Sequence, residues 1–263
     1  MPTILDEIVA ATRQTIATDK SLTPAAELRA RLPDLPPTRD FYAALAATKS
    51  VRLIAEVKRA SPSAGLIRAD FDPVSIAKSY RSAGAACISV LTDKPFFQGD
   101  LEYLRQIRAA VDLPLLRKDF IVDPYQILQA RVAGADCVLL IAECLSPQEL
   151  IELHEAATEL GLQTLIELYD IDHLDAVLAT GTRLVGVNNR DLRTFKTDLR
   201  HTLRLRQVIP RDRLVVGESG ITSCADVQLL AAGGVKAILV GESLMRQPDI
   251  AAAVRDLMAD AQP

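Results

Sequence analysis

The stretch Arg52-Leu53-Ile54-Ala55-Glu56-Val57-Lys58-Arg59-Ala60-Ser61-Pro62-Ser63 ends an apolar run with two opposite charges two positions apart. In an extended chain, residues two apart point to the same face, so Glu56 and Lys58 project together. Buried charges are costly unless they are paired or put to use. Ser61 and Ser63 add hydroxyls in a turn broken by Pro62. Read alone, this is either a structural ion pair at a barrel mouth or part of an acid–base site. Leu116-Arg117-Lys118-Asp119-Phe120 supplies a second lysine. Crowded by Lys58 and Arg117, Lys118 would have a lowered pKa, which suits proton donation near neutral pH and equally a Schiff base. A solvated rim lysine is the plain alternative. Glu167 interrupts the apolar Leu165-Ile166-Glu167-Leu168. There a carboxyl is expected to have a raised pKa and to act as acid or base, or to pair with one of the lysines. The three histidines, His154, His173 and His201, lie in charged helix-like segments and read as solvated surface. Acid–base chemistry therefore falls to lysines and carboxylates.

Binding groups sit in similar places. Gly217-Glu218-Ser219-Gly220 and Gly241-Glu242-Ser243 each follow an apolar run and precede a helical pattern. Gly220 and Gly241 would leave bare backbone N–H groups at a helix start, an anion site, unless they serve only to make tight turns. A phosphorylated small molecule is the ligand class that follows. Phe96, Phe97 and Phe120, three of the six phenylalanines, fall in comparable loops and suit a flat apolar substrate part, with core packing as the alternative for any one of them. Thr92-Asp93-Lys94, Glu143 and Asn188-Asn189-Arg190-Asp191 complete the polar strand ends.

These groups need elements to hold them. Apolar runs occur at 53–57, 87–91, 113–116, 137–142, 164–168, 184–187, 214–216 and 237–240. Helical patterns lie between them at 74–82, 101–110, 124–133, 147–160, 171–179, 199–208, 224–232 and 248–261. Gly84, Gly134, Gly161, Gly181 and Gly233 follow helices where a left-handed residue is wanted, and Pro73, Pro124, Pro147 and Pro248 start them. Strands apolar on both faces and alternating with helices predict a closed parallel (β/α)8 TIM barrel, an α/β fold. No G-x-G-x-x-G is present to favour a doubly wound sheet. Residues 1–50 differ: Ile4, Leu5, Ile8, Val9 and Ile16 predict an amphipathic helix to about Asp19. A proline-rich linker at 32–37 follows, then a second helix capped by Thr38 or Asp40 and running to about Lys49. The expected division is a helical extension at 1–50, packing on the barrel mouth, and a catalytic barrel at 51–263.

Composition narrows the function classes. Of the 263 residues 49% are apolar, enough for a large core, and the formal net charge of −4 offers no footprint for nucleic acid or an anionic membrane. No run is long enough to span a bilayer, and 1–20 is not a signal peptide. The four cysteines form no C-x-x-C, so buried thiols in a reduced cytoplasmic setting are expected, without metal or disulfide.

Taken together, Glu56-Val57-Lys58-Arg59-Ala60-Ser61-Pro62-Ser63, Leu116-Arg117-Lys118-Asp119-Phe120-Ile121, Leu165-Ile166-Glu167, Val187-Asn188-Asn189-Arg190-Asp191-Leu192, Gly217-Glu218-Ser219-Gly220-Ile221 and Val240-Gly241-Glu242-Ser243-Leu244-Met245 resemble the indole-3-glycerol-phosphate synthase family of tryptophan biosynthesis. The resemblance spans the whole chain. It implies ring closure, decarboxylation and dehydration of 1-(2-carboxyphenylamino)-1-deoxyribulose 5-phosphate, without a cofactor. It implies Lys118 as general acid, Glu167 as the group for the later proton transfers, and Lys58 and Glu56 as assistants. Lys58 would also meet the carboxylate that is lost or the phosphate. Asn188 and Arg190 would orient hydroxyls and carboxylate. Ser61, Ser219, Gly220, Gly241 and Glu242 would surround the phosphate, and Phe97, Phe120 and Pro62 would line the anthranilate pocket. Some members carry Ser where this chain has Glu242; a carboxylate there would repel phosphate, leaving its backbone N–H to serve. Other enzymes of the tryptophan pathway are candidate partners. The rivals are phosphoribosylanthranilate isomerase, the tryptophan synthase α subunit and a non-catalytic phosphosugar-binding barrel. The isomerase and the α subunit are shorter or lack the Glu-x-Lys plus Lys-Asp-Phe combination. The binding barrel should have lost Lys58, Lys118 and Glu167.

Overall fold

A computed structural model describes residues 3–191, 194 and 196–259. Leu192 of the fourth motif and the end of the last predicted helix lie outside the described residues. Eight strands form the barrel: β1 (Arg52–Val57), β2 (Cys87–Leu91), β3 (Leu115–Lys118), β4 (Cys137–Ile141), β5 (Gln163–Leu168), β6 (Leu184–Asn188), β7 (Leu214–Glu218) and β8 (Ala237–Val240). Each pairs in parallel with its sequence neighbours, and β1 also pairs with β8, which closes the ring. Inward side chains of every strand but β2's later residues build one interior cluster, including Ile54, Leu116, Leu139, Leu165, Leu184, Val216 and Leu239. Outward ones such as Leu53, Ala55, Val185 and Val187 pack in the layer shared with the helices. Burial on both faces is why the strands read as unbroken apolar runs.

Three strands reach further than their apolar stretches. The third starts at Leu115 instead of residue 113 and continues to Lys118, while β6 and β7 run to Asn188 and Glu218. Pro114 has no N–H to give a ladder, which delays β3. At the other end the ladders continue through polar residues, with Leu91 opposite Lys118, Ile141 opposite Glu167 and Asn188 opposite Glu218. Apolarity marks the dry core and not the end of the strand.

The outer helices are α4 (Pro73–Ser82), α5 (Leu101–Ala110), α6 (Pro124–Ala133), α7 (Pro147–Glu159), α8 (Leu174–Ala179), α9 (Arg200–Arg206), α10 (Cys224–Ala232) and α12 (Ile250–Leu257), with a four-residue α11 (Glu242–Met245) between β8 and α12. Pro73, Pro124 and Pro147 open helices behind side-chain caps from Asp72, Asp123 and Ser146. Pro248 does not: Asp249 caps α12, leaving Pro248 one residue outside. Gly233 also departs from expectation. Its φ is −80°, and Gly234 at +80° takes the left-handed position. A β-carbon at Gly233 would meet the tip of the Leu203 side chain, so close packing rather than turn geometry is what this glycine serves.

The N-terminal segment runs along the barrel from end to end. Helix α1 (Ile4–Leu22), with a Thr3–Asp6 capping box, buries Ile8, Thr12 and Ile16. It is fastened to α6 by Lys20–Asp123 at 2.7 Å and by the Tyr125 hydroxyl donating to the carbonyls of Asp19 and Thr23. A short α2 (Ala25–Ala30), absent from the sequence reading, and a turn of 3-10 helix at Leu32–Asp34 follow. Helix α3 (Phe41–Ala46), capped by Asp40, ends earlier than expected. Its Phe41 and Leu45 enter the interior cluster beside Cys87, Cys137 and Leu214, at the strands' N-terminal ends. Gln163, at the start of β5, accepts from the Tyr42 N–H at 2.7 Å and donates to Asp40 at 2.9 Å. Thus α3 plugs the end of the barrel opposite the polar strand ends.

The histidines are not solvated surface. His154 meets the Thr164 hydroxyl at 2.7 Å. His201 stacks on Tyr169 at 4.4 Å, with Nε2 2.7 Å from the Tyr169 carbonyl. His173 is half-buried in a 3-10 turn. Cys87 and Cys137 are buried free thiols in the core, and Cys144 and Cys224 are half-buried and free.

Because Phe41 is fully buried in the plug, Phe41→Ala should cost about 3–5 kcal/mol by transfer and cavity terms. Urea unfolding measures it. A cost below about 1 kcal/mol would show that the plug is dispensable to the core.

Candidate active site

A cavity of about 540 Å³ opens at the C-terminal ends of the strands, where barrels of this kind hold their chemistry. Lys118, Glu167, Lys58, Glu56, Asn188, Arg190, Ser61, Pro62, Phe97, Phe120, Ser219, Gly220, Gly241 and Glu242 all line it. The pleat explains why. Glu56 follows inward Ile54, Lys118 follows Leu116, Glu167 follows Leu165 and Glu218 follows Val216, each by two residues. The polar groups form the layer directly above the apolar core.

At the centre is one ammonium group among carboxylates. Lys118 Nζ lies 3.0 Å from Glu167 Oε2 and in close contact with Glu218 Oε2. Asn188 Nδ2 donates to the other Glu167 oxygen at 3.0 Å. Lys58 Nζ lies 2.7 Å from Glu56 Oε1, the ion pair foreseen from their spacing. The Arg117 side chain points away from the Lys118 ammonium. It sits on the opposite face of β3, held by Thr92, Asp119 and the Gln126 carbonyl, and so belongs to the scaffold.

Two expected pKa shifts are therefore reversed. Burial alone would lower the Lys118 pKa, but Glu167, Glu218 and Glu56 outweigh it and hold the ammonium well above the usual lysine range. Sequence adjacency had suggested cations as neighbours; the fold supplies anions. Burial would raise the Glu167 pKa, but Lys118 and the hydrogen bonds outweigh it and the pKa falls. The raised carboxyl is Glu218, pushed up to about 8 by burial, with Lys118 opposing and Glu167 adding. One cation cannot compensate two carboxylates, so one proton stays in the cluster. Glu218 is the residue the sequence reading noted without assigning. The signal that marked Glu167, a carboxylate two positions beyond an inward apolar residue, was equally present there.

The residues expected to bind lie around this centre. Ser219 and Gly220 are both left-handed, with φ of 66° and 77°. The bend is held by Asn189, whose Nδ2 donates to the Ser219 carbonyl at 3.1 Å while its Oδ1 accepts from Thr202. Opposite stands Gly241-Glu242. The Glu242 carboxylate accepts from Arg246 at 2.9 Å and lies 3.8 Å from Arg190, so two guanidinium groups offset its charge at the cavity rim. Arg190 also donates to Ser63 at 2.7 Å, joining the loops after β6 and β1 across the mouth. Phe97 and Phe120 face each other at 6.1 Å. Buried Asp93 sets that loop by accepting the N–H groups of Phe96 and Phe97, and burial raises its own pKa to about 6. Phe96 and Lys94 do not line the cavity, whereas Ile4, Leu5 and Ile8 of α1 do, adding an apolar wall from the extension. Glu143 is used structurally, accepting from the N–H groups of Tyr169 and Asp170. Among the described residues no cluster of three or more His, Cys, Asp or Glu is placed to hold a metal, and no helix is long and apolar enough to cross a membrane.

Comparison with known proteins agrees with this architecture. A crystal structure of 3-hexulose-6-phosphate synthase superposes with a TM-score of 0.65 over 81% of this chain and 100% of that one, at 17% identity, a likeness of fold alone. Closer relatives are found by sequence. The indole-3-glycerol phosphate synthase of Rhodopirellula baltica is 73% identical over 257 residues, covering 98% of this chain and 99% of that protein. That of Azospirillum brasilense is 55% identical over 207 residues, 79% of each. The family model for indole-3-glycerol phosphate synthase matches residues 5–257. The chain belongs to the indole-3-glycerol phosphate synthase family.

Proposed function

We infer that the chain converts 1-(2-carboxyphenylamino)-1-deoxyribulose 5-phosphate to indole-3-glycerol phosphate, releasing carbon dioxide and water, and that Lys118 is the acid of ring closure. The observation that carries the role of Lys118 is its ammonium, enclosed by Glu167 and Glu218 at the cavity floor. As the anthranilate ring carbon attacks the ribulose carbonyl, the carbonyl oxygen becomes an alkoxide, far more basic than an amine. A lysine kept protonated at every physiological pH meets that developing charge without reorganisation and gives up its proton only as the charge appears. Carbon dioxide leaves from the ring carbon that attacked, and its bonding electrons restore the benzene ring without a base. In the dehydration that follows, Lys58 gives a proton to the departing hydroxyl, and Glu167, ionised and steered by Asn188, takes the proton from the neighbouring carbon as the pyrrole ring forms. Lys58, oriented by Glu56, faces the departing carboxylate or the phosphate. The phosphate lies between Ser219-Gly220 and Gly241, with Ser61 nearby, and Glu242 contributes its backbone N–H while Arg246 and Arg190 hold its side chain. Arg190 reaches the substrate's hydroxyls and carboxylate, and the flat ring packs on Phe97, Phe120 and Pro62 beneath α1. These groups suffice for all the proton transfers, so no cofactor is invoked. The functional division is a helical extension at 1–50 and a catalytic barrel at 51–263, working in the cytoplasm. Other enzymes of the tryptophan pathway would be its partners in supply and removal.

Lys118→Met should lower kcat by about 10²–10⁴-fold, the usual worth of a positioned acid, followed as indole fluorescence. Substrate binding should persist. A fully active variant would transfer the acid role elsewhere, with Lys58 the next suspect.

The pH dependence follows from the shared proton. Below about 8 Glu218 is neutral, and Lys118 with Glu167 sums to zero charge. Above it the cluster is negative and repels an anionic substrate. So kcat/KM should fall as pH rises through about 8, and Glu218→Gln, which cannot ionise, should lose that limb. A limb unchanged in the variant would contradict the assignment.

A further inference from the structure

We propose that Gly186 is a positioning residue for the reaction: the space left by its missing side chain is the seat of the Glu218 carboxyl group. This rests on the reading of Glu218 as the proton-holding partner of Lys118. Strand β6 points Leu184 into the interior cluster, while Val185 and Val187 face the helix layer. By the two-residue repeat, Gly186 and Asn188 therefore face inward. Gly186 lies opposite Glu167 on one side and Val216 on the other. A glycine inside a strand weakens it and packs nothing, so it needs a reason. Conformation is not the reason, since Gly186 is absent from the residues with positive φ.

Space is the reason. A β-carbon on Gly186 would overlap Glu218 Oε1, with the next obstacles, Glu167 Cα and Cβ, at 3.3 and 3.5 Å. The first is the tip of a flexible side chain and the others are ordinary or slightly tight contacts. An alanine would thus leave the barrel standing and drive the Glu218 carboxyl out of its place. Its other holds are on one side: Oε2 touches Lys118 and the carboxyl shares a hydrogen bond with Glu167, while Oε1 is buried without a hydrogen-bond partner, resting over the glycine. The same device recurs at Gly241, where a β-carbon would stand 2.5 Å from Oε1 of Glu56, the atom that pairs with Lys58. Glu218 and Glu56, which each pair with a lysine of the site, thus both have a carboxylate oxygen seated over a glycine, one inside strand β6 and one just past the end of β8.

The test is a cycle of Gly186→Ala, Glu218→Ala and the double variant, with Gly186→Ala/Glu218→Asp added. Each is read by kcat, KM, the pH profile and the urea midpoint. Gly186→Ala should fold, with a urea midpoint no lower than that of Glu218→Ala. Its kcat should fall about a hundredfold, the scale of a 1 Å displacement of a reacting group, and its alkaline limb should move. The double Ala variant should be no worse than Glu218→Ala alone. The shorter aspartate, which retreats from the new methyl group, should recover activity in the Gly186→Ala background while impairing the parent. Wild-type kinetics in Gly186→Ala, or losses that multiply in the double variant, would overturn the proposal while leaving the role of Glu218 intact. A fully active Glu218→Ala would overturn that role and this proposal with it. If Gly186→Ala does not fold, folding restored by Glu218→Ala supports the seat, and folding lost in both overturns it.

Discussion

One ammonium group among buried carboxylates is the constraint on which this molecule depends. Placing Lys118 in the barrel end strips its water, and the surrounding carboxylates, Glu167 and Glu218 in contact and Glu56 beyond them, make that tolerable. The arrangement is not neutral as built, because two carboxylates face one cation, and burial raises Glu218 until it keeps a proton. Charge, proton inventory and side-chain placement are therefore one problem with one solution. Lys58 and Glu56 repeat it in simpler form as a matched pair.

The barrel meets this constraint through its pleat. Glu56, Lys118, Glu167 and Glu218 each stand two residues beyond an apolar inward neighbour, so the layer that fills the core also fixes the layer of charged groups above it. Precision comes from rigidity below and from bonded loops above. Helix α3 closes the lower end with Phe41 and Leu45, and the upper rim is tied by Asn189 to Ser219 and by Arg190 to Ser63. Helix α1 links the extension to the cavity through Ile4, Leu5 and Ile8. The N-terminal segment thus serves both ends of the barrel.

Much of this was legible in the residues. Eight doubly apolar runs alternating with helices call for a parallel sheet covered by helices, their number favours a closed barrel, and strand-end polarity marks the end where its charged groups gather. Spacing placed Glu56 beside Lys58 correctly, because two residues on one strand share a face. What spacing cannot supply is contact between strands. Arg117 adjoins Lys118 in sequence yet points the other way, and Glu218, a hundred positions along, touches it. The signs of the Lys118 and Glu167 shifts depend on those neighbours and were inverted for that reason. Gly186 was invisible for a related cause: its importance lies in an atom it lacks, opposite a residue on another strand. Glu242 illustrates the converse, since its apparent conflict with a phosphate is relieved by Arg246 one helical turn away.

The central claim, a proton retained between Glu167 and Glu218 beside a charged Lys118, can be observed directly by infrared difference spectroscopy across a pH titration. The account predicts a protonated carboxyl band at pH 7 that disappears through about pH 8, and that is missing in Glu218→Gln. A wild-type site without that band at pH 7, with both carboxyls already ionised, would contradict it.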